Sequence, residues 1–299
     1  MFNTAKDIIE TCEKENKKIY DLVIADEIIV SKTTEEAIRS KLDEALKVMV
    51  SSATGNLNKV TESKFNMIDG FAKKAYEFAN NPDEDNTIKN KPMIGDFAME
   101  AMAMAFSTSE INCAMGEIVA APTAGSAGIL PAAMVAAHNK YNFDQTTMQN
   151  GLLTAIGIGQ IIAKYATFAG AEGGCQAECG AASAMAAAAL TEMRGGSAEE
   201  CLNAASITLI NVMGLVCDPI AGLVQFPCTF RNASGVINAI TSSDIALAGI
   251  KSIVPFDQVV QAMGEVGHML NEDLRETGLG GIAGTKTGCK IREEFLNEK

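Results

Sequence analysis

Three cysteines stand where the chain breaks. Cys175 follows the paired glycines Gly173 and Gly174 in Gly-Ala-Glu-Gly-Gly-Cys-Gln-Ala-Glu-Cys-Gly. Cys217 and Cys228 bound the run Cys-Asp-Pro-Ile-Ala-Gly-Leu-Val-Gln-Phe-Pro-Cys, a loop interrupted by proline and glycine. Thiolates are soft ligands that suit iron–sulfur clusters and zinc. Glycine beside a ligand lets backbone approach a bulky inorganic group, and proline holds the turn that presents the next ligand. Any one cysteine taken alone reads first as a small buried apolar residue. The joint pattern is what points to a metal centre.

A second stretch, Ala-Pro-Thr-Ala-Gly-Ser-Ala-Gly at 121–128, follows Ser-Glu-Ile-Asn-Cys-Ala-Met-Gly-Glu at 109–117. Pro122 and Gly125 break helix there, and Gly128 with Pro131 signals the start of the next one. Backbone amides and the Thr123 and Ser126 hydroxyls near a helix N-terminus suit a carboxylate. A solvated turn with capping hydroxyls is the competing reading. Asn112, Thr123 and Ser126 are the substrate-binding candidates. His138 and His268 are the only histidines. His138 lies where a helix is ending and His268 on an amphipathic helix, so a general base is expected from a lysine, a carboxylate or a partner chain. The tail from Leu274 to Gly288 is glycine-rich. It misses the phosphate-loop pattern, because Thr285 separates Gly284 from Lys286.

The elements that must position these groups read as helices. The chain has 299 residues, 47% of them hydrophobic, with abundant alanine and methionine and no tryptophan. Such a mixture enters helices at little cost, whereas strands want β-branched and aromatic residues. Thr4 caps an expected helix over 4–18, and the signal at Ser31–Glu36 starts another near Thr34. Ile38, Leu42, Ala45, Leu46, Met49 and Val50 give that second helix a core stripe. Further helices are expected over 64–79, from Gly95 to Phe106, over 150–169, over 181–190 and over 263–270. Cys12, Cys113 and Cys201 fit packed helix faces. Residues 80–92 collect Asn, Pro, Asp, Glu and Lys and read as an exposed loop. The expected organisation is mainly α: an N-terminal helical layer at 1–90 laid over a catalytic helical body at 91–299. Helical content should exceed the third that is average for globular chains.

A net charge of -13 argues against a nucleic-acid surface. No cationic segment with an apolar core opens the chain, and residues 150–169 are interrupted by Gly157, Gly159, Gln160 and Lys164. Neither a secretion signal nor a membrane span is expected. Eight cysteines without a secretion signal fit a reducing cytoplasm.

Gly-Gly-Cys-Gln-Ala-Glu, Cys-Asp-Pro-Ile-Ala-Gly-Leu-Val with its following Pro-Cys, and Ala-Pro-Thr-Ala-Gly-Ser-Ala-Gly together resemble the iron–sulfur-dependent L-serine dehydratase family, alpha chain. The resemblance runs over residues 2–288, and Arg275-Glu276-Thr277-Gly278 resembles that family's C-terminal signature. It implies the family's helical catalytic domain and a [4Fe-4S] cluster held by Cys175, Cys217 and Cys228. Three thiolates would leave one iron of such a cluster without a protein ligand, free to act as a Lewis acid. The reaction implied is elimination of water from L-serine, giving pyruvate and ammonia. Cys179, one helical turn from Cys175, is left structural, because the family generally carries an apolar residue there. Cys289 is a remote candidate for a tail ligand. A separate beta subunit is the implied partner, in a larger oligomer.

The chain departs from the family at three places. Residues 63–69 replace a glycine-rich Ser-Gly-x-Thr-Gly-Gly-Asp run, residues 164–169 replace Asn-Asn-Ala-Ser-Ile-Ser, and Lys286 replaces a proline in the final Thr-Pro-Thr-Gly. The same chemistry on a relative such as L-cysteine or another small hydroxy acid, or a non-catalytic iron–sulfur subunit, are the alternative readings.

Overall fold

The structure is a computed structural model and describes residues 4–81 and 88–297. Helix occupies 69% of the chain, well above the expected third. Among the described residues no strand forms; one isolated bridge pairs Cys217 with Arg275. The chain is mainly α.

The centre is α9 (Ala181–Met193), every residue of which is buried. Its run of alanines explains this: small side chains let neighbouring helix backbones come close on all sides. α7 (Gln145–Tyr165), α10 (Ala198–Asn211) and α11 (Cys228–Leu247) pack on it, joined by α6 (Ile129–Tyr141). Gly151 and Gly235 mark two of the close approaches. A Cβ there would lie 2.7 Å from Met193 Cγ and 2.6 Å from Ser183 Oγ, respectively.

The N-terminal helices cover this body. α1 (Ala5–Glu15) starts at Thr4, which forms a capping box with Asp7. Asn16, in the left-handed region at φ 51, ends it. α2 (Ile19–Ser31) begins at once, with the Lys18 amide bonded to the Asp21 carboxylate at 2.9 Å. α3 (Glu35–Thr54) is capped by Thr34 as its sequence predicts; of its expected stripe Ile38, Leu42, Leu46 and Met49 are buried, Ala45 is half-buried and Val50 is exposed. Where α1 and α2 meet the end of α9, Glu192 is 7% exposed and sits 3.7 Å from Lys18 Nζ. Burial pushes its carboxyl up to about 7, more than the distant Lys18 charge lowers it.

The expected helix over 64–79 begins later. α4 (Phe71–Ala79) follows Gly70, whose φ of 78 suits glycine. Residues before it form a closed turn instead, because the Asp69 carboxylate accepts from both the Ser63 amide (3.1 Å) and the Ser63 hydroxyl (2.8 Å). Of the loop expected at 80–92, residues 82–87 lie outside the described residues, and Ile88–Asn90 make one 3-10 turn. The helix expected from Gly95 to Phe106 continues as α5 (Asp96–Cys113). That expected over 150–169 ends at Tyr165, and that over 263–270 belongs to the longer α12 (Phe256–Met269). A short helix, α8 (Gly170–Gly173), precedes Cys175, and α13 (Lys286–Asn297) closes the chain. None of the described helices is long and apolar enough to cross a membrane.

Candidate metal centre

Cys175 is set in place by the glycines before it. Gly174 has φ 74, and a Cβ on it would stand 2.6 Å from Leu270 Cδ1 and 2.8 Å from the Leu215 carbonyl. The chain then enters a π-helical turn, Gln176–Gly180, a form found disproportionately at functional sites. Buried Gln176 fastens this turn on two sides. Its side-chain amide donates to the Met263 carbonyl (3.0 Å), and its side-chain oxygen accepts from the Gly214 amide (2.8 Å). The turn brings Cys179 Sγ to 3.3 Å from Cys175 Sγ.

Cys217 arrives from the loop after α10 and is held by the returning tail. Its amide donates to the Leu274 carbonyl at 2.8 Å, and its carbonyl accepts from the Glu276 amide at 2.7 Å. The neighbouring Asp218 accepts from the Ile282 amide (2.7 Å) and from Arg231 Nη2 (2.5 Å). Cys228 is the first residue of α11, after the cis Phe226–Pro227 bond. One turn on, buried Asn232 accepts from the Gly128 amide (2.9 Å) and donates to the carbonyls of Gly125 (2.7 Å) and Cys228 (2.8 Å). That side chain ties the start of α11 to the 121–128 loop.

The loop residues meet the thiols through Glu178. The Thr123 hydroxyl donates to Glu178 Oε1 at 2.9 Å, and Cys217 Sγ lies 3.8 Å from Oε2. Ser126, fully buried, has its hydroxyl 3.1 Å from that of Thr123. Asn112 is half-buried, and its side-chain amide donates to the Ala124 carbonyl at 3.2 Å, bracing the loop. Two glycines leave room for this meeting. A Cβ on Gly170 would lie 2.8 Å from Glu178 Oε2 and 3.0 Å from Cys217 Sγ, and one on Gly125 3.1 Å from Glu178 Oε1. Burial, then the Cys175 charge, push the Glu178 carboxyl up to about 7.

The three cysteines are buried, at 1%, 1% and 5% exposure for Cys175, Cys217 and Cys228, and none is in a disulfide. Hydrogen bonds from the Cys179 and Cys217 thiols, with help from Arg231, hold Cys175 well below the ordinary thiol range. Cys217 is pushed up first by its hydrogen bond to Cys175, and Cys228 first by burial; the Cys175 charge opposes a second thiolate in both.

Among the described residues no three His, Cys, Asp or Glu side chains are grouped so as to hold a metal ion. The irons of a polynuclear cluster are separate, so its thiolates need not converge on one point. The donor set fits such a cluster: soft, buried and reduced. Unsatisfied buried groups also gather here. Arg231 Nη1, Arg275 Nε, Thr229 Oγ1 and Gln225 Oε1 lack partners, all on segments flanking Cys217 or Cys228. Unpaired buried donors are costly and are expected where a further group belongs.

The remaining residues fall elsewhere. Cys12 and Cys201 are buried in the core. Cys113, at the end of α5, is half-buried, with its thiol packed against the loop between Cys217 and Cys228 and donating to the Val224 carbonyl (3.3 Å). Cys289, on α13, has its thiol 3.9 Å from the Ala283 carbonyl. His138 bonds the Phe143 carbonyl (2.8 Å) at the end of α6, and His268 is exposed on α12. Glu178, Asp218, Arg231 and Asn232 were not among the sequence candidates. Their signal was faint but present, since Glu178 and Arg231 each lie three residues beyond a cysteine, the spacing that shares one helix face.

Residues 14–283 match the family model described as serine dehydratase alpha chain. The chain is 66% identical over 298 residues to the L-serine dehydratase, alpha chain, of Peptoniphilus asaccharolyticus, covering 100% of this chain and 99% of that protein. It is 42% identical over 296 residues to a Bacillus subtilis (strain 168) protein named "Probable L-serine dehydratase, alpha chain", covering 99% and 96%. It is also 33% identical over 291 residues to the L-serine dehydratase of Helicobacter pylori (strain J99 / ATCC 700824), covering 95% of this chain but 62% of that longer protein.

Proposed function

Because the chain belongs to the serine dehydratase alpha chain family, we propose that it is the catalytic chain of an iron–sulfur-dependent L-serine dehydratase. The observation that carries this reading is the meeting of Cys217 and Thr123 at Glu178, three residues after Cys175, with Cys228 tied to the same loop through Asn232. Cys175, Cys217 and Cys228 would hold a [4Fe-4S] cluster. When bound, the cluster supplies a Lewis acid that makes the substrate's β-hydroxyl a better leaving group.

The chain's own residues do the rest. Thr123 and Ser126 offer hydroxyls, and Asn112 fixes the loop that carries them, so an amino acid resting there meets polar groups already in position. Thr123 also holds Glu178, whose Oε2 stands beside Cys217. We assign the proton-acceptor role to this carboxylate, which is held by one of the hydroxyls assigned to the substrate and stands beside one of the thiols assigned to the cluster. Loss of the α-proton and the β-hydroxyl, as water, leaves aminoacrylate; its imine tautomer takes up water to give pyruvate and ammonia.

The names of the relatives support a beta subunit as partner, and the longer Helicobacter protein fits the same two parts in one chain. The test is anaerobic release of pyruvate and ammonia from a panel of amino acids, by the reconstituted chain with and without a beta chain. L-Serine should be turned over, and faster in the mixture. Equal rates without the beta chain would remove the partner from the account, and turnover of L-cysteine in place of L-serine would overturn the substrate. The second outcome has a structural basis: the departing segment 63–69 shares a cavity with Leu223 of the cysteine-bearing loop.

A further inference from the structure

We infer that Arg231, braced by Asp218, is the positioning residue that donates hydrogen bonds to the thiolate-held group and compensates its negative charge. This rests on the iron–sulfur reading above. Arg231 stands three residues after Cys228 on α11, so the two share a helix face. Its Nη2 donates to Asp218 Oδ1 at 2.5 Å, and Asp218 directly follows Cys217. One ion pair therefore spans two of the three segments that carry thiols. The other Asp218 oxygen accepts from the Ile282 amide (2.7 Å), which fixes the carboxylate to the tail. The pair is well covered, with side-chain exposures of 13% and 4%.

The remaining terminal nitrogen, Nη1, is buried without a partner. A guanidinium has five N–H groups in a rigid fork, and enclosing a side of it with nothing to accept is unfavourable. Arg231 also lines a cavity of about 640 Å³ together with Cys179, which lies 3.3 Å from Cys175. N–H donors to cluster sulfurs raise the reduction potential and strengthen retention, because they favour the added negative charge.

The test compares reconstituted wild-type chain with Arg231→Gln and Arg231→Lys, using Arg194→Gln as a change of one charge at a remote ion pair with Asp244. Readouts are the cluster's reduction potential and the rate at which a chelator bleaches its visible absorption. Arg231→Gln should lower the potential and weaken retention by about 10- to 100-fold, the usual effect of losing an outer hydrogen-bond partner. Arg231→Lys, which keeps charge but not the fork, should fall between. Arg231→Gln values equal to those of Arg194→Gln would overturn the inference. If Arg231→Gln loses its helical circular dichroism, Arg231→Lys decides: a lowered potential supports the inference, and a wild-type potential overturns it. Wild-type chain that takes up no cluster overturns the underlying reading and this inference with it. A wild-type cluster with unmoved Arg231 variants overturns this inference alone.

Discussion

Changing Cys175, Cys217 or Cys228 to alanine should remove the brown colour of the reconstituted protein and its L-serine turnover together, by more than about 100-fold, beyond what loss of an outer hydrogen-bond partner costs. The three thiols come from separate segments: the residue before a π-helical turn, a loop held by the tail, and the first residue of a helix. Removing one therefore leaves the other two in place but cannot be made good by a neighbour on the same segment. Cys179 is the instructive exception, since it lies one turn from Cys175. Cys175→Ala that kept full colour would show Cys179 taking over. Cys12→Ala and Cys201→Ala, both deep in the core, should cost only on the order of 1 kcal/mol in denaturant unfolding and leave colour intact. Full activity in Cys217→Ala would sink the assignment.

A methyl group at Gly170 should be nearly as damaging. Its Cβ would stand 2.8 Å from Glu178 Oε2 and 3.0 Å from Cys217 Sγ, so both must move. Gly170 has no left-handed backbone to lose, and the strain falls on the site rather than on α8. Overpacking of this kind costs roughly 1–3 kcal/mol. Gly170→Ala should keep its helical circular dichroism while cluster uptake and turnover fall at least about 10-fold, the change equivalent to 1.4 kcal/mol. Gly264→Ala is the comparison, because its nearest neighbour would be Ala166 Cβ at an ordinary 3.5 Å. If Gly170→Ala loads its cluster like wild type, the closeness of Glu178 and Cys217 is not what the site depends on.

Much of the fold was legible in local chemistry. Thr4 and Thr34 cap the helices they announce, and the alanine run at 181–190 became the buried centre because small side chains permit contact on all sides. The start of α4 was not legible, since a helical pattern at 64–70 yields to the Asp69 carboxylate closing a turn on Ser63. The cysteine pattern singled out Cys175, Cys217 and Cys228 as candidates, but not what surrounds them. Glu178 reaches Thr123 across 55 positions, and Asn232 reaches Gly125 across 107. Contacts at that range depend on how α9 and α11 pack, which no local spacing encodes. Arg275 shows the same limit: its run resembles the family's C-terminal signature, while its pairing with Cys217 needed the folded chain.

The central claim is that three thiolates of this chain hold a four-iron cluster able to meet L-serine. Mössbauer spectroscopy of the anaerobically reconstituted chain, with enriched iron and its beta partner, tests it most directly. The account predicts a four-iron spectrum in which about one iron in four changes on adding L-serine, as a cluster with three protein ligands requires. A spectrum of equivalent irons that L-serine leaves unmoved would contradict it.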